Sequence, residues 1–316
     1  MMTGKILKKE RKKELCLERK TLGRRDLIIL NRDLCNGCGT CAEVCPKKSI
    51  TIGPTSIENG RLLRFPSLKI DTDSCIMCGI CTVFCPLNAL EAWVYEKRKN
   101  VNKQKNEKIA MCIQNESIPR LIKNISIDQE ICKTNCELNC MESCPRNAID
   151  VTVQKEDIQV LSSTKSNILH WKKIADVKLN TALCIYCKGC EFACPHGAIS
   201  VNKIFEGSAT VDTNKCPLNC LVCMDICPSR AINSTKDGKI TLNQNICVFC
   251  KACQNVCPIN AINVTIHRIL HEPIISATWI TLLENFVSYK AASKELAAKS
   301  WKKVPNLIES RSRKSN

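Results

Sequence analysis

Six times along the 316-residue chain, an apolar stretch ends in an aliphatic residue followed at once by Asn or Asp: Leu30-Asn31, Ile70-Asp71, Ile127-Asp128, Leu179-Asn180, Val211-Asp212 and Leu242-Asn243. Each is followed by a short mixed segment, a proline (Pro46, Pro86, Pro145, Pro195, Pro228 or Pro258), two variable positions, and a small residue beside an aliphatic one. Those closing pairs are Ser49-Ile50, Ala89-Leu90, Ala148-Ile149, Ala198-Ile199, Ala231-Ile232 and Ala261-Ile262. An aliphatic strand end running into Asx predicts a strand followed by a turn, because the short polar side chain bonds its own backbone and reverses the chain. The proline removes a donor and ends the local bonding pattern. Each copy therefore reads as strand, loop and short helix, and six copies make an internal repeat.

The loop is where the chemistry lies. Each copy holds four cysteines: Cys35, Cys38, Cys41 and Cys45; Cys75, Cys78, Cys81 and Cys85; Cys132, Cys136, Cys140 and Cys144; Cys184, Cys187, Cys190 and Cys194; Cys216, Cys220, Cys223 and Cys227; Cys247, Cys250, Cys253 and Cys257. Four sets read C-x2-C-x2-C-x3-C-P, while the third is C-x3-C-x3-C-x3-C-P and the fifth C-x3-C-x2-C-x3-C-P. This is ligand spacing for [4Fe–4S] clusters, in which the fourth cysteine serves the other cluster of a two-cluster domain. Structural zinc pairs usually lie a dozen or more residues apart. Six clusters on these 24 cysteines are expected, the two looser sets included. Gly39, Gly79 and Gly189 stand where a side chain would crowd the wrapping of the loop. Cys16 and Cys112 fall outside the sets and read as plain thiols, and His196 as an exposed loop residue.

Taken in pairs, the sets predict an α+β protein of three tandem bacterial-type two-cluster domains, over residues 26–98, 123–205 and 206–266, with a linker at 99–122. The gaps between sets hold 29, 46, 39, 21 and 19 residues. Sequential pairing fits them and crosses Cys85 with set one, Cys45 with set two, and likewise Cys144 with Cys194 and Cys227 with Cys257. The gaps also fit a nested arrangement, with sets four and five paired and inserted between three and six. With only 4% aromatic residues, each unit builds a thin apolar core, and bound clusters must supply much of its interior.

Charge adds two features. The formal +17 counts cysteines as neutral, whereas each thiolate-ligated cluster adds about −2, bringing the whole to about +5. Residues 1–25 carry ten Lys/Arg against three acids, and 267–316 nine against four, which predicts an acidic body with two basic ends rather than a nucleic-acid binder. Lys8, Lys9, Arg11, Lys12 and Lys13 read as a solvated helix face or a docking arm. Between Pro273 and Pro305 the residues Ile275, Trp279, Leu282, Leu283, Phe286, Leu296, Ala297 and Trp301 predict a long amphipathic helix. The start shows no apolar signal region and no run is long enough for an integral membrane segment, so the expected setting is a reducing cytoplasm. No GxGxxG, P-loop, HExxH or GxSxG is found. Fully ligated clusters leave no open position for substrate, so the chain is expected to move electrons without a catalytic site of its own.

The repeat over residues 26–266 resembles the archaeal polyferredoxins, in particular the polyferredoxin subunits of formylmethanofuran dehydrogenases. The similarity is carried by Cys41-Ala42-Glu43-Val44-Cys45-Pro46, Ile52-Gly53-Pro54, Cys75-Ile76-Met77-Cys78-Gly79-Ile80-Cys81, Pro86-Leu87-Asn88-Ala89-Leu90 and Cys184-Ile185-Tyr186-Cys187-Lys188. The resemblance implies redox partners: formylmethanofuran dehydrogenase, heterodisulfide reductase or hydrogenase modules. It also implies a role in methanogenesis. Members of that family are associated with eight clusters, two more than the sets present here. A hydrogenase polyferredoxin and a diffusible electron carrier are the alternatives.

Overall fold

The computed structural model describes residues 4–96, 121–132, 138–153, 174–272 and 287. Each Asx expected to turn the chain does so. Asn31, Asp71, Asp128, Asn180, Asp212 and Asn243 accept, through Oδ1, the amide two residues ahead at 2.9–3.2 Å. The chain thus leaves each strand at a fixed angle and enters the cysteine loop.

The partner of each repeat is fixed by a second bond from the same residue. The Asx amide donates to the carbonyl of the small closing residue of another repeat, at 2.8 Å in all six cases: Asn31 to Ala89, Asp71 to Ser49, Asp128 to Ala198, Asn180 to Ala148, Asp212 to Ala261 and Asn243 to Ala231. Set one is thereby joined to two, three to four and five to six. The sequential arrangement holds and the nested one does not.

Strand pairing continues outward from these bonds. In the first unit β1 (Ile6–Glu10), β2 (Glu14–Lys20), β3 (Arg24–Asn31) and β8 (Leu90–Glu96) form an antiparallel sheet in the order β1-β2-β3-β8. Between β3 and β8 lie α1 (Thr40–Glu43), β4 (Ile50–Ile52), the hairpin β5 (Ser56–Glu58) and β6 (Arg61–Arg64), β7 (Leu68–Ile70) and α2 (Ile80–Val83), with β4 paired to β7. The second unit has β9 (Ile125–Ile127), α3 (Gln129–Cys132), α4 (Asn139–Glu142), β10 (Ile149–Val153), β11 (Ile174–Leu179), α5 (Gly189–Ala193) and β12 (Ile199–Val201). Here β9 pairs with β12 and β10 with β11. The third has β13 (Phe205–Val211), α6 (Val222–Ile226), β14 (Ile232–Ser234), β15 (Ile240–Leu242), α7 (Ala252–Val256) and β16 (Ile262–Ile269), with β13 on β16 and β14 on β15. In every pair the aliphatic residue before Asx faces the aliphatic closing residue, as Leu30 faces Leu90 and Ile70 faces Ile50.

Two expectations about the ends are corrected. The basic N-terminal stretch is neither a helix face nor a free arm: β1 and β2 extend the sheet of the first unit, and Leu15 and Leu17 are fully buried against Leu30 and Ile28. The period here is two, with apolar Leu15 and Leu17 alternating with Cys16 and Glu18. Half of its ten cations converge on two acids: Lys9, Lys20 and Arg25 surround the buried Glu18, while Arg19 and Arg24 hold Asp26. These contacts keep the Glu18 carboxyl at about 2, through the Lys9 hydrogen bond first, against the opposing effect of burial. At the other end β16 continues through His267 to Ile269, beyond the boundary at 266. The candidate amphipathic helix lies outside the described residues, apart from buried Val287, which bridges in parallel to Ile266.

Leu17→Ala is expected to cost about 2–5 kcal/mol, the range for emptying a buried leucine site. Thermal denaturation checks it, and deletion of residues 1–25 is expected to destabilise more, since it strips two strands from β3.

Candidate metal-cluster sites

The loops of sets one, two, four and six curl because alternate residues adopt left-handed backbone, and sets three and five each show one such residue among those described. The residue before the second cysteine has positive φ in Gly37, Met77, Tyr186, Asn219 and Phe249, and the helix after it is entered through Gly39, Gly79, Leu138, Lys188 or Lys251 in the same region. Successive amides then turn toward the inside of the loop, the geometry that favours negative charge. Gly37 is required: at φ +70° a Cβ would also meet Pro66 Cγ at 2.5 Å. Gly39 and Gly79 hold a position that Lys188 and Lys251 occupy elsewhere, so strain is tolerated there. Gly189 does not share that conformation, and lies instead against Cys187 Sγ.

The two variable positions after the proline are not equivalent. The second is left-handed in all six repeats: Lys48, Asn88, Asn147, Gly197, Arg230 and Asn260. Four of these are Asn or Gly, the residues that adopt it most readily. The turn brings the amide of the small closing residue back onto the fourth cysteine, with Ser49, Ala89, Ala148, Ala231 and Ala261 each donating to that sulfur at 3.2–3.3 Å. A larger residue would obstruct this approach, which accounts for the Ser/Ala pattern.

Four thiols line each of three small cavities. One is lined by Cys35, Cys38, Cys41 and Cys85, one by Cys144, Cys184, Cys187 and Cys190, and one by Cys216, Cys220, Cys223 and Cys257. In each case the fourth cysteine comes from the paired repeat. The same exchange sets Cys45 beside Cys78 and Cys227 beside Cys247, Cys250 and Cys253. In set three Cys132, Cys140 and Cys144 are described, whereas Cys136 is not, nor is Cys112. Described cysteines are free thiols. Cys16 sits on β2, and burial raises its thiol; His196 is exposed in its loop.

This donor set suits a cluster. Four sulfurs line a walled space with apolar neighbours such as Leu30, Leu68 and Leu90, and backbone amides supply the hydrogen bonds that adjust potential. Burial, and then the neighbouring sulfurs, push the thiols of Cys38, Cys190, Cys223 and Cys253 up to about 12. A metal must therefore displace a proton from each.

Residues outside the cysteine pattern connect the sites. Asn255 Nδ2 donates to the Cys38 carbonyl at 2.8 Å, Asn36 Nδ2 to the Ile226 carbonyl at 3.1 Å, and Lys251 pairs with Glu43 at 2.9 Å. Asn88 Nδ2 reaches the Cys184 carbonyl at 2.9 Å and its Oδ1 accepts from Lys123 at 2.8 Å. Arg146 donates to the Leu34 carbonyl at 2.8 Å, and Lys203 to that of Gln244 at 2.8 Å. No spacing rule singles these out; they are partners across units that sequence alone does not bring together.

Comparison with known proteins agrees with this geometry. The 4Fe-4S dicluster domain family matches residues 34–89 and 183–231, and 4Fe-4S binding domain families match 240–263, 79–103 and 253–275. The pyruvate synthase subunit PorD of Methanocaldococcus jannaschii is 31% identical over 78 residues, which is 25% of this chain and 86% of that protein. A chain of the formate dehydrogenase, heterodisulfide reductase and formylmethanofuran dehydrogenase complex from Methanospirillum hungatei superposes with a TM-score of 0.72. It is 28% identical, over 91% of this chain and 92% of that one. Among the described residues no helix is long and apolar enough to cross a membrane.

Two outcomes are expected. Cys85→Ser should lower occupancy of the cavity of Cys35, Cys38 and Cys41, and Cys144→Ser that of Cys184, Cys187 and Cys190, as read by site-resolved spectroscopy. Separately, thiols raised from 9.0 to about 12 stabilise the metal-free fold fully below pH 9, and that contribution is lost as pH rises toward 12. Thermal denaturation of metal-free protein should fall over that window. Metal-loaded protein, its ligands already deprotonated, should lack this dependence.

Proposed function

Because the chain belongs to the ferredoxin-type 4Fe-4S proteins, we propose that it is a polyferredoxin subunit. It carries six [4Fe–4S] clusters on the 24 cysteines of its six sets. The sets form three two-cluster domains, residues 26–98, 123–205 and 206–266, with β1 and β2 joined to the first and β16 carrying the third to Ile269. The observation that carries this reading is the sixfold Asx turn joining repeats in pairs, with the fourth cysteine exchanged at five of the six sites among the described residues. Bound clusters would supply one-electron storage and transfer at low potential.

The chain's own residues do the rest. Exchange of the fourth cysteine ties two loops into one domain and keeps paired sites close. The amides of Ser49, Ala89, Ala148, Ala231 and Ala261 stabilise ligand sulfur, and buried aliphatic side chains keep water away. With every ligand position taken by sulfur, the chain passes electrons and leaves chemistry on substrates to partner subunits. Free thiols on this scale suit a reducing cytoplasm.

Likeness over nine-tenths of a chain from the Methanospirillum complex supports an assignment to electron transfer among formate dehydrogenase, heterodisulfide reductase and formylmethanofuran dehydrogenase modules. We place this chain next to the formylmethanofuran dehydrogenase as its polyferredoxin subunit. The PorD match, confined to a quarter of the chain, favours a second reading: service to another oxidoreductase. Anaerobic purification should yield roughly 24 iron and 24 sulfide per chain, with pterin-metal subunits co-purifying. About 16 iron would remove sets three and five from the proposal, and isolation with a different oxidoreductase would favour the second reading.

A further inference from the structure

Three of the six sites meet inside the molecule, one from each unit, and a cation lies at each of their three contacts. The sites are those of Cys35, Cys38 and Cys41 with Cys85; of Cys184, Cys187 and Cys190 with Cys144; and of Cys247, Cys250 and Cys253 with Cys227. Nine of their twelve cysteines are buried, against only Cys81 and Cys223 among the described cysteines of the other three sites. The remaining described cysteines of those other sites are half-buried, and the exposed Ile76, Phe192 and Leu218 lie beside them in sequence.

The cations occupy the gaps between inner sites. Lys123 is held by Asn88, whose amide also bonds the Cys184 carbonyl, and feels the sulfurs of Cys85 and Cys184. Arg146, anchored on the Leu34 carbonyl, feels Cys85, Cys35 and Cys250. Lys203, anchored on the Gln244 carbonyl with its ammonium 4.9 Å from the Phe249 ring centre, feels Cys247 and Cys187. Lys123 is exposed, whereas Arg146 and Lys203 are half-buried; desolvation lowers the pKa of Arg146 and Lys203, while the sulfurs named act in the opposite direction.

Resting on the polyferredoxin reading, we propose that Lys123, Arg146 and Lys203 are potential-setting residues of a three-way junction, each raising the reduction potentials of the two inner sites it separates. Adding an electron makes a site more negative, which burial opposes and a nearby positive charge favours. The three cations thus offset the burial that sets the inner sites apart from the outer ones. Each transfer takes one electron from a reduced core, which returns from 1+ to 2+, and gives it to a 2+ neighbour, which becomes 1+. An external low-potential one-electron donor protein fills the first site and an external acceptor empties the last. With a junction, electrons entering at any one outer site can leave at either of the other two.

The test uses full-length anaerobic protein, with iron and sulfide analysis and potentiometric titration followed by electron paramagnetic resonance. Lys123→Gln, Arg146→Gln and Lys203→Gln should each shift two potentials downward, by about tenfold in the reduced-to-oxidised ratio, which is ~59 mV for one electron. The triple variant should shift three, each about twice as far, leaving the rest in place. Lys203→Arg should leave all where they were. Unmoved potentials in the Gln variants, or an equal shift at every cluster, would overturn the proposal. Should Lys123→Gln shed iron, Asn88→Asp sets a carboxylate beside the same ammonium and must lower the same two potentials; no shift there overturns it as well. Iron and sulfide missing from the parent protein would defeat the functional reading beneath it, whereas clusters with unmoved potentials defeat only this inference.

Discussion

Four sulfurs must converge on one small space, and no single stretch of this chain supplies all four. Three come from a curled loop and the fourth from a loop many residues away, so each site depends on two repeats being held in register. The six Asx amides that donate to small-residue carbonyls at 2.8 Å hold that register. Strand pairing, helix placement and the approach of the fourth cysteine all follow from it. Ferredoxin-type domains built this way need little apolar core, since their interior is designed around a bound group.

The same bonds explain why the repeat tolerates variation where it does. Loop length changes in sets three and five, and glycine gives way to Lys188 or Lys251 at helix entry, because those positions only curl the chain. The small residue after the proline turn does not vary beyond Ser and Ala, because its amide meets a sulfur and its carbonyl meets the partner's turn. One backbone unit thus serves both the site and the pairing.

One apolar cluster runs through all three units, and polar contacts between units fall beside the ligand loops: Asn255 on Cys38, Asn88 on Cys184, Arg146 next to Cys35. The hairpin β5–β6 adds Arg61, which pairs with Asp225 at 2.8 Å, and covers the loop of set five. Such contacts fix distances between sites, the quantity on which an electron relay depends. The N-terminal hairpin has a structural part in this arrangement. Its Arg19 reaches the Ile76 carbonyl at 3.2 Å beside set two, so its basic residues are engaged in the fold as well as facing solvent.

The cysteine spacing, the Asx turns and the small–aliphatic pairs are local rules, and they were legible in the sequence because neighbours along the chain impose them. They determined the repeat, the kind of site and the ligand candidates. The pairing of sets was not decided by spacing, since gaps of 21 and 19 residues are equally able to close; the hydrogen bonds between repeats decided it. The N-terminal strands were hidden behind their charge, because lysines and arginines on one face of a strand mask the alternation that Leu15 and Leu17 provide on the other. Lys123, Arg146 and Lys203 carry no local signature at all. What makes them notable is their position between sites drawn from different units, and that position is a property of the assembled chain, produced only when distant segments meet.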